Sequence, residues 1–229
     1  MDDYLQKILR ARVYDVAEET PLERAQNLSK KFKNDIWLKR EDLQPVFSFK
    51  LRGAFNRMSK LTKEELTNGV IASSAGNHAQ GVALSASFLK CRAVIVMPLT
   101  TPIMKVRAVE SHKAEVILFG ETYDECYEKA LEISKAEKLT FIHPFDDPEV
   151  IAGQGTIGLE ILRQSHTRPD AIYIAVGGGG LIAGVSAYIK AIWPEIKIIG
   201  VEPEDACAMT LSLDANKPIE LDSVGLFAD

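Results

Sequence analysis

The chain has 229 residues, 46% of them hydrophobic and 26% charged, with a net charge of −5. This length admits one large domain or two small ones around a sizeable core, and the apolar fraction excludes a disordered chain. The acidic balance leaves no electrostatic footprint for nucleic acid or an anionic membrane. Three separated cysteines, Cys91, Cys126 and Cys207, exclude a disulfide framework and a Cys-rich zinc site, and they fit a reducing, cytoplasmic compartment.

The opening MDDYLQKILRARVYD lacks an apolar stretch and carries acids within its first three residues, unlike a signal or transit peptide. Thr20-Pro-Leu-Glu23 has the spacing of a capping box and predicts a helix start. A strand is expected at Ile36–Lys39 and a helix near 50–61. The capping boxes Thr62-Lys-Glu-Glu65 and Thr122-Tyr-Asp-Glu125 are further helix starts. Short apolar runs at Val70–Ser73, Ala93–Met97, Glu115–Leu118, Thr140–Ile142, Ala171–Val176 and Lys197–Val201 read as strands. Helical patterns near 77–90, 102–112, 122–138, 149–165 and 181–192 alternate with them. Such alternation predicts an α/β fold with βαβ units and a parallel sheet covered on both faces. There is no internal repeat or obvious linker, so two domains would have to be interleaved.

Residues 171–189 carry no charge over nineteen positions, the length of a membrane span. Gly177, Gly178, Gly179 and Gly180 interrupt that run, and each costs a helix roughly 1 kcal/mol relative to Ala. A buried strand, a glycine loop and a helix are therefore expected, not a membrane helix. Strand, glycines and helix in that order present free backbone amides to a phosphate. The loop also satisfies a loose dinucleotide fingerprint, Gly178-x-Gly180-x-x-Ala183 with Glu202 ending the next strand, which would suit a nicotinamide-dependent oxidoreductase.

Two other segments carry chemistry. Lys50 follows the aromatic-rich Pro45-Val-Phe-Ser-Phe49 and opens a helix. An amine held against Phe47 or Phe49, near the positive end of a helix, is biased toward the neutral form that attacks carbonyls. The plain alternative is a solvated helix lysine. Ser73-Ser74-Ala75-Gly76-Asn77-His78 turns a strand into a helix, and its amides could hold a carboxylate or simply cap the helix. His78 could be a base or a packed residue. His112, His143 and His166 have no metal-ligand spacing and read as structural or surface residues.

In this order, SFK-x-RGA, SAGNHAQG and GGGGL closely resemble the fold-type II pyridoxal-phosphate enzymes, and within them the biosynthetic threonine dehydratases (threonine ammonia-lyases). TPLERAQNLS, LKREDLQPVFSFKLRGA, VIVMP, IAGQGT and the closing VGLFAD extend the resemblance from about residue 4 to the last residue. It implies that Lys50 holds pyridoxal 5'-phosphate as a Schiff base and later acts as the base at Cα. By the same resemblance Phe49 packs near the cofactor ring and Asn77 bonds its 3-hydroxyl. The amides of Gly177, Gly178, Gly179, Gly180 and Leu181 would bind the phosphate. The segment Ser74, Ala75, Gly76, Asn77 and His78 would hold the substrate carboxylate.

The fold implied is tryptophan synthase β-like, with parallel or mixed sheets covered by helices and a small domain inserted in a larger one. Residues 55–150 would form the small domain, and 1–54 with 151–229 the large one. The activity implied is dehydration and deamination of L-threonine to 2-oxobutanoate and ammonia, the first step of isoleucine biosynthesis, with L-serine a weaker substrate giving pyruvate. The implied partners are a small amino-acid substrate and, in the full-length form, further copies in a homo-oligomer. Two related readings stand beside it: a dehydratase-racemase, and a fragment that binds cofactor without turnover. Related serine racemases carry a second Ser immediately before Gly-Asn-His; here that position is Ala75, whose methyl cannot transfer a proton. Against the family pattern the chain stops early, before the last strands of the large domain and the Ser or Thr facing the pyridine nitrogen.

Overall fold

The computed structural model describes residues 2–221 and 224–225. Of the closing VGLFAD, Leu226 to Asp229 lie outside the described residues.

In chain order the elements are α1 (Asp2–Leu9), β1 (Leu22–Arg24), α2 (Gln26–Phe32), β2 (Trp37–Lys39), α3 (Lys50–Met58), α4 (Lys63–Asn68), β3 (Val70–Ser73), α5 (Asn77–Leu89), β4 (Ala93–Met97) and α6 (Ile103–Glu110). There follow β5 (Glu115–Leu118), α7 (Tyr123–Glu137), β6 (Thr140–Phe141), α8 (Pro148–Gln164), β7 (Ala171–Ala175), α9 (Gly180–Ile192), β8 (Lys197–Val201) and α10 (Ala208–Ala215). Four parallel strands form one sheet in the order β5-β4-β3-β6, and β7 pairs with β8 in a second parallel sheet.

Every residue of β3 and β4 is buried. That explains why both strands read as continuous apolar runs instead of alternating ones. One core, with Ala72, Ile95, Met97 and Val82, packs this sheet against α3, α5 and α6. A smaller one, with Ile71, Val94 and Val96, receives Cys126 and Ala130 of α7 on the opposite face. A third cluster joins α8 and α9 to the second sheet through Ile161, Ile174, Val185 and Ile189.

The boxes at Thr62 and Thr122 both form: each Thr hydroxyl accepts from the amide three residues on, and each Glu carboxylate accepts from the Thr amide. Thr20 is a correction. Leu22–Arg24 pairs antiparallel with Trp37–Lys39, so no helix starts there, and the buried Thr20 hydroxyl donates to Glu41 Oε1 at 2.6 Å instead. A distant acceptor outcompetes the local cap. The stretch from Ala171 divides as expected into β7, a glycine loop and α9, but the buried strand is a correction: of β7 only Ile174 is buried, and Tyr173 is 70% exposed. Among the described residues no helix is long and apolar enough to cross a membrane.

Helix α3 is held on two sides. A methyl at Gly153 of α8 would lie 2.7 Å from both the carbonyl oxygen of Arg52 and the Cα of Gly53, so the two helices meet backbone to backbone. Below that crossing the fully buried Arg52 donates to Glu160 (2.5 and 3.0 Å), Glu41 (both 2.8 Å), Thr156 Oγ1 (3.1 Å) and the Glu18 carbonyl (3.0 Å). Lys39 Nζ adds a 2.6 Å pair to Glu160, and the Tyr14 hydroxyl donates to Glu160 at 2.8 Å. Two cations and two carboxylates balance, and every Arg52 nitrogen has an acceptor, which is the condition under which buried charge is tolerable.

Candidate active site

Lys50 is the first residue of α3. Its Nζ donates to the carbonyl oxygen of Pro144 at 3.0 Å and stands 5.6 Å from the centroid of the Phe49 ring. Among the described residues no carboxylate pairs with it. Burial alone shifts it, lowering its pKa from the usual lysine value, because a charge removed from water without a counter-ion is disfavoured. Phe47, the other aromatic expected beside it, is 77% exposed with a left-handed φ of 56°, so the apolar neighbour is Phe49.

Three loops follow the carboxyl ends of parallel strands, where open α/β sheets place their ligand crevices; the second bonds Lys50 directly and meets the third through Phe145. The first, Ser74 to Gly76, links β3 to α5. Asn77 is the exposed first residue of α5, and Ser74, Ala75 and Gly76 are half-buried. A methyl added at Gly76 would meet nothing within 4 Å. His78 is buried: its Nε2 lies 2.9 Å from the Ile142 carbonyl oxygen, and its Nδ1 has no hydrogen-bond partner. Facing a carbonyl, Nε2 carries the proton. Burial first, then the neighbouring Lys50, pushes the imidazole pKa down to about 3, so the ring is neutral. Of the two readings offered for His78, the packed residue is the one its surroundings support.

The second loop joins β6 to α8. Because β6 lies beside β3, it runs next to the first. It holds His143, Pro144 and Phe145. His143 Nδ1 accepts from the amides of Phe145 (3.2 Å) and Asp146 (2.8 Å), and Asp147 Oδ1 caps α8 by accepting from Glu149 N and Val150 N. His143 is thus structural, as expected, but it structures a loop at the site and not a remote surface. Pro144 and Phe145 were not anticipated. The contribution of Pro144 is a backbone carbonyl, which leaves no side-chain signature.

The third loop is Gly177 to Gly179, between β7 and α9. Gly179 has φ +86°, a conformation that disfavours any side chain. A methyl at Gly178 would fall into the Phe145 ring, and one at Gly177 would meet nothing within 4 Å. The first turn of α9 has amides without intrahelical acceptors; the bond from Ala183 N to Gly179 O (2.9 Å) closes that turn. Gly180 and Leu181 begin the helix, so its positive end faces the loop. Glu202 is spoken for: its carboxylate accepts from Met209 N, Thr210 N and Thr210 Oγ1 at 2.8–2.9 Å, capping α10. That removes the ribose-binding acid a nicotinamide site would need.

Residues 13–229 match the family described as pyridoxal-phosphate dependent enzyme. The chain belongs to this family. It is 60% identical over 230 residues to a biosynthetic L-threonine dehydratase of Burkholderia multivorans, covering 99% of this chain and 45% of that protein. A chloroplastic biosynthetic threonine dehydratase of Arabidopsis thaliana is 60% identical over 227 residues, covering 99% and 38%. The chain thus spans less than half the length of these curated relatives. Among solved structures, the processed form of threonine deaminase isoform 2 from Solanum lycopersicum superposes with TM-score 0.97 at 55% identity, covering 100% of this chain and 62% of that one. Maize serine racemase gives 0.93 at 32% identity, covering 96% and 68%. The fold is therefore that of the fold-type II pyridoxal-phosphate enzymes.

The residues present fit this family's cofactor. An aldehyde needs a neutral amine, and Lys50 is desolvated without a counter-ion. A phosphate needs free amides at a helix start, and open space adjoins Gly177. An amino-acid carboxylate needs room beside a turn, and the loop at Gly76 has it, although the Ser74 amide is bonded to the Val96 carbonyl and the Gly76 amide to the Ser74 hydroxyl.

Proposed function

We propose that this protein is a pyridoxal-phosphate dependent lyase that converts L-threonine to 2-oxobutanoate and ammonia, and L-serine more slowly to pyruvate. One observation carries the reading: Lys50, desolvated and without a carboxylate partner among the described residues, bonds the Pro144 carbonyl in the same segment whose Phe145 packs on the glycine turn that starts α9. In this reading Lys50 holds the cofactor, with Phe49 beside the ring, Asn77 bonding the ring hydroxyl, and the amides of Gly177 to Leu181 on the phosphate. The loop from Ser74 to His78 orients the substrate carboxylate through its backbone. Bound there, pyridoxal phosphate supplies a conjugated ring that delocalises the charge left when the Cα proton departs.

The Lys50 amine, biased toward its neutral form by desolvation, accepts that proton. The β-hydroxyl leaves with a proton as water, and a water re-enters to release ammonia, so the sum is threonine to 2-oxobutanoate plus ammonia. Ala75 offers no group that could return a proton to the opposite face of Cα, which favours dehydration over racemisation. The high identity to dehydratases named as biosynthetic supports a place at the start of isoleucine synthesis.

Residues 55–150 are proposed as a small unit inserted in a larger one. The four-stranded sheet is built wholly within 70–141, and the other two sheets lie on either side of it in sequence. Both proposed boundaries fall inside helices, α3 and α8, that pack against each other. Three free cysteines support a reducing compartment such as the cytoplasm, and the family resemblance supports a homo-oligomer.

Adding pyridoxal phosphate to the folded protein should produce a visible absorption band that is absent from Lys50→Ala. A folded wild-type preparation that gives no band overturns the reading.

A further inference from the structure

We propose that Phe145 is a positioning residue that holds the Gly177–Gly179 loop at a set distance from Lys50. The inference rests on the cofactor reading above and adds to it the part that keeps amine and phosphate cradle in register. One short segment touches both. The Pro144 carbonyl accepts from Lys50 Nζ at 3.0 Å. The next residue, Phe145, lays its ring over Gly178, and its main chain approaches Gly180 so closely that a methyl there would lie 2.8 Å from the Phe145 carbonyl oxygen and 3.0 Å from its Cα.

The segment itself cannot drift. His143 Nδ1 accepts two of its amides, and the His143 and Phe145 rings meet edge to face with centroids 4.7 Å apart. Asp147 caps α8 and pairs with Arg57 of α3 at 3.0 Å, so the segment is tied to the helix that carries Lys50. Its glycine neighbours have no side chains with which to define the loop's position; the Phe145 ring supplies the wall at Gly178, and Met209 Cε closes on Gly179 from α10. Without the ring, the glycine loop gains room to shift at Gly178, where the ring lies, while the Phe145 main chain against Gly180 and the Lys50–Pro144 bond, which uses only backbone on the loop side, stay in place.

The two ends of the cofactor therefore respond differently to losing the ring, and a pair of ligands separates them. Pyridoxal phosphate engages both Lys50 and the glycine loop; pyridoxal, lacking the phosphate, engages Lys50 alone. Dissociation constants for both are read from the visible band in wild-type, Phe145→Ala and Phe145→Leu proteins, with far-ultraviolet circular dichroism as the folding control. The expected result for Phe145→Ala is weakening of pyridoxal phosphate by about tenfold or more, with pyridoxal changed by less than about twofold, and Phe145→Leu in between. If both ligands weaken alike, or neither does, the proposal is overturned. Should Phe145→Ala fail to fold, Phe145→Leu decides by the same ratio. A wild-type protein that takes up neither ligand overturns the cofactor reading, and this proposal with it, an outcome visible before any variant is made.

Discussion

His78 shows how one residue's chemistry is decided by what surrounds it. Histidine beside a candidate catalytic lysine invites a role as base, yet burial and the nearby Lys50 drive its pKa down to about 3, and its one bond is to the Ile142 carbonyl. A neutral ring donating from Nε2 ties the start of α5 to the end of β6. The cost appears in acid. Above the ordinary histidine value of 6.5 neither folded nor unfolded protein protonates this ring. Below it the unfolded chain takes up a proton and the folded one does not, so folded stability falls as pH drops from 6.5 toward 3. Between pH 7 and pH 5 the expected loss from this group is about 2 kcal/mol. Urea unfolding at both pH values should show that loss in wild type in excess of His78→Gln, whose amide can still donate to Ile142 without titrating. Equal losses in the two proteins would mean that His78 ionises freely when folded.

Among elements, the helix–helix crossings carry the geometry. Lys50 sits at the head of α3, the Gly177–Gly179 loop at the head of α9, and α8 lies between them, touching α3 at Gly153 and α9 at Gly184. A side chain at Gly153 would press on backbone at 2.7 Å, and backbone cannot rotate away as a flexible side chain can. Gly153→Ala should therefore cost about 2–3 kcal/mol of stability despite the better helix propensity of alanine, measured by thermal or urea unfolding. A neutral or stabilising result would show that the crossing tolerates separation.

The same scale shows what was legible in the sequence. β3, β4, β5 and β8 fall where their apolar runs lie; in β3 and β4 the cause is burial of every residue, while β5 and β8 have no fully buried residue and show through their β-branched residues. The capping boxes at Thr62 and Thr122 hold because their partners are local. Thr20 misleads because its partner, Glu41, is remote in sequence, and α2 escapes notice because its N-cap, Ala25, makes no side-chain cap bond. At the site, Lys50 and the run of glycines are signals of residue type and are readable. The Pro144 carbonyl is a backbone atom placed by topology. Asp147-Pro148, an N-cap followed by proline at the first helical position, was the cue that this loop ends at a helix start.

For the whole molecule, carboxyl-end loops of two parallel sheets meet through Phe145, next to the carbonyl that bonds Lys50. A large share of the chain serves to hold that convergence: the neutral Arg52–Glu160–Glu41–Lys39 cluster beneath α3, the glycine contacts of α8, and the pinned turn at His143. Family membership follows from the match over residues 13–229, and the chain spans less than half of the dehydratases it resembles. Turnover is therefore the claim most in need of a direct test. The decisive measurement is release of 2-oxobutanoate from L-threonine by the protein loaded with pyridoxal phosphate, beside Lys50→Ala. The account predicts steady release by the wild type and a loss of at least about a thousandfold in the variant. Folded, cofactor-loaded wild-type protein that releases no 2-oxobutanoate would contradict it.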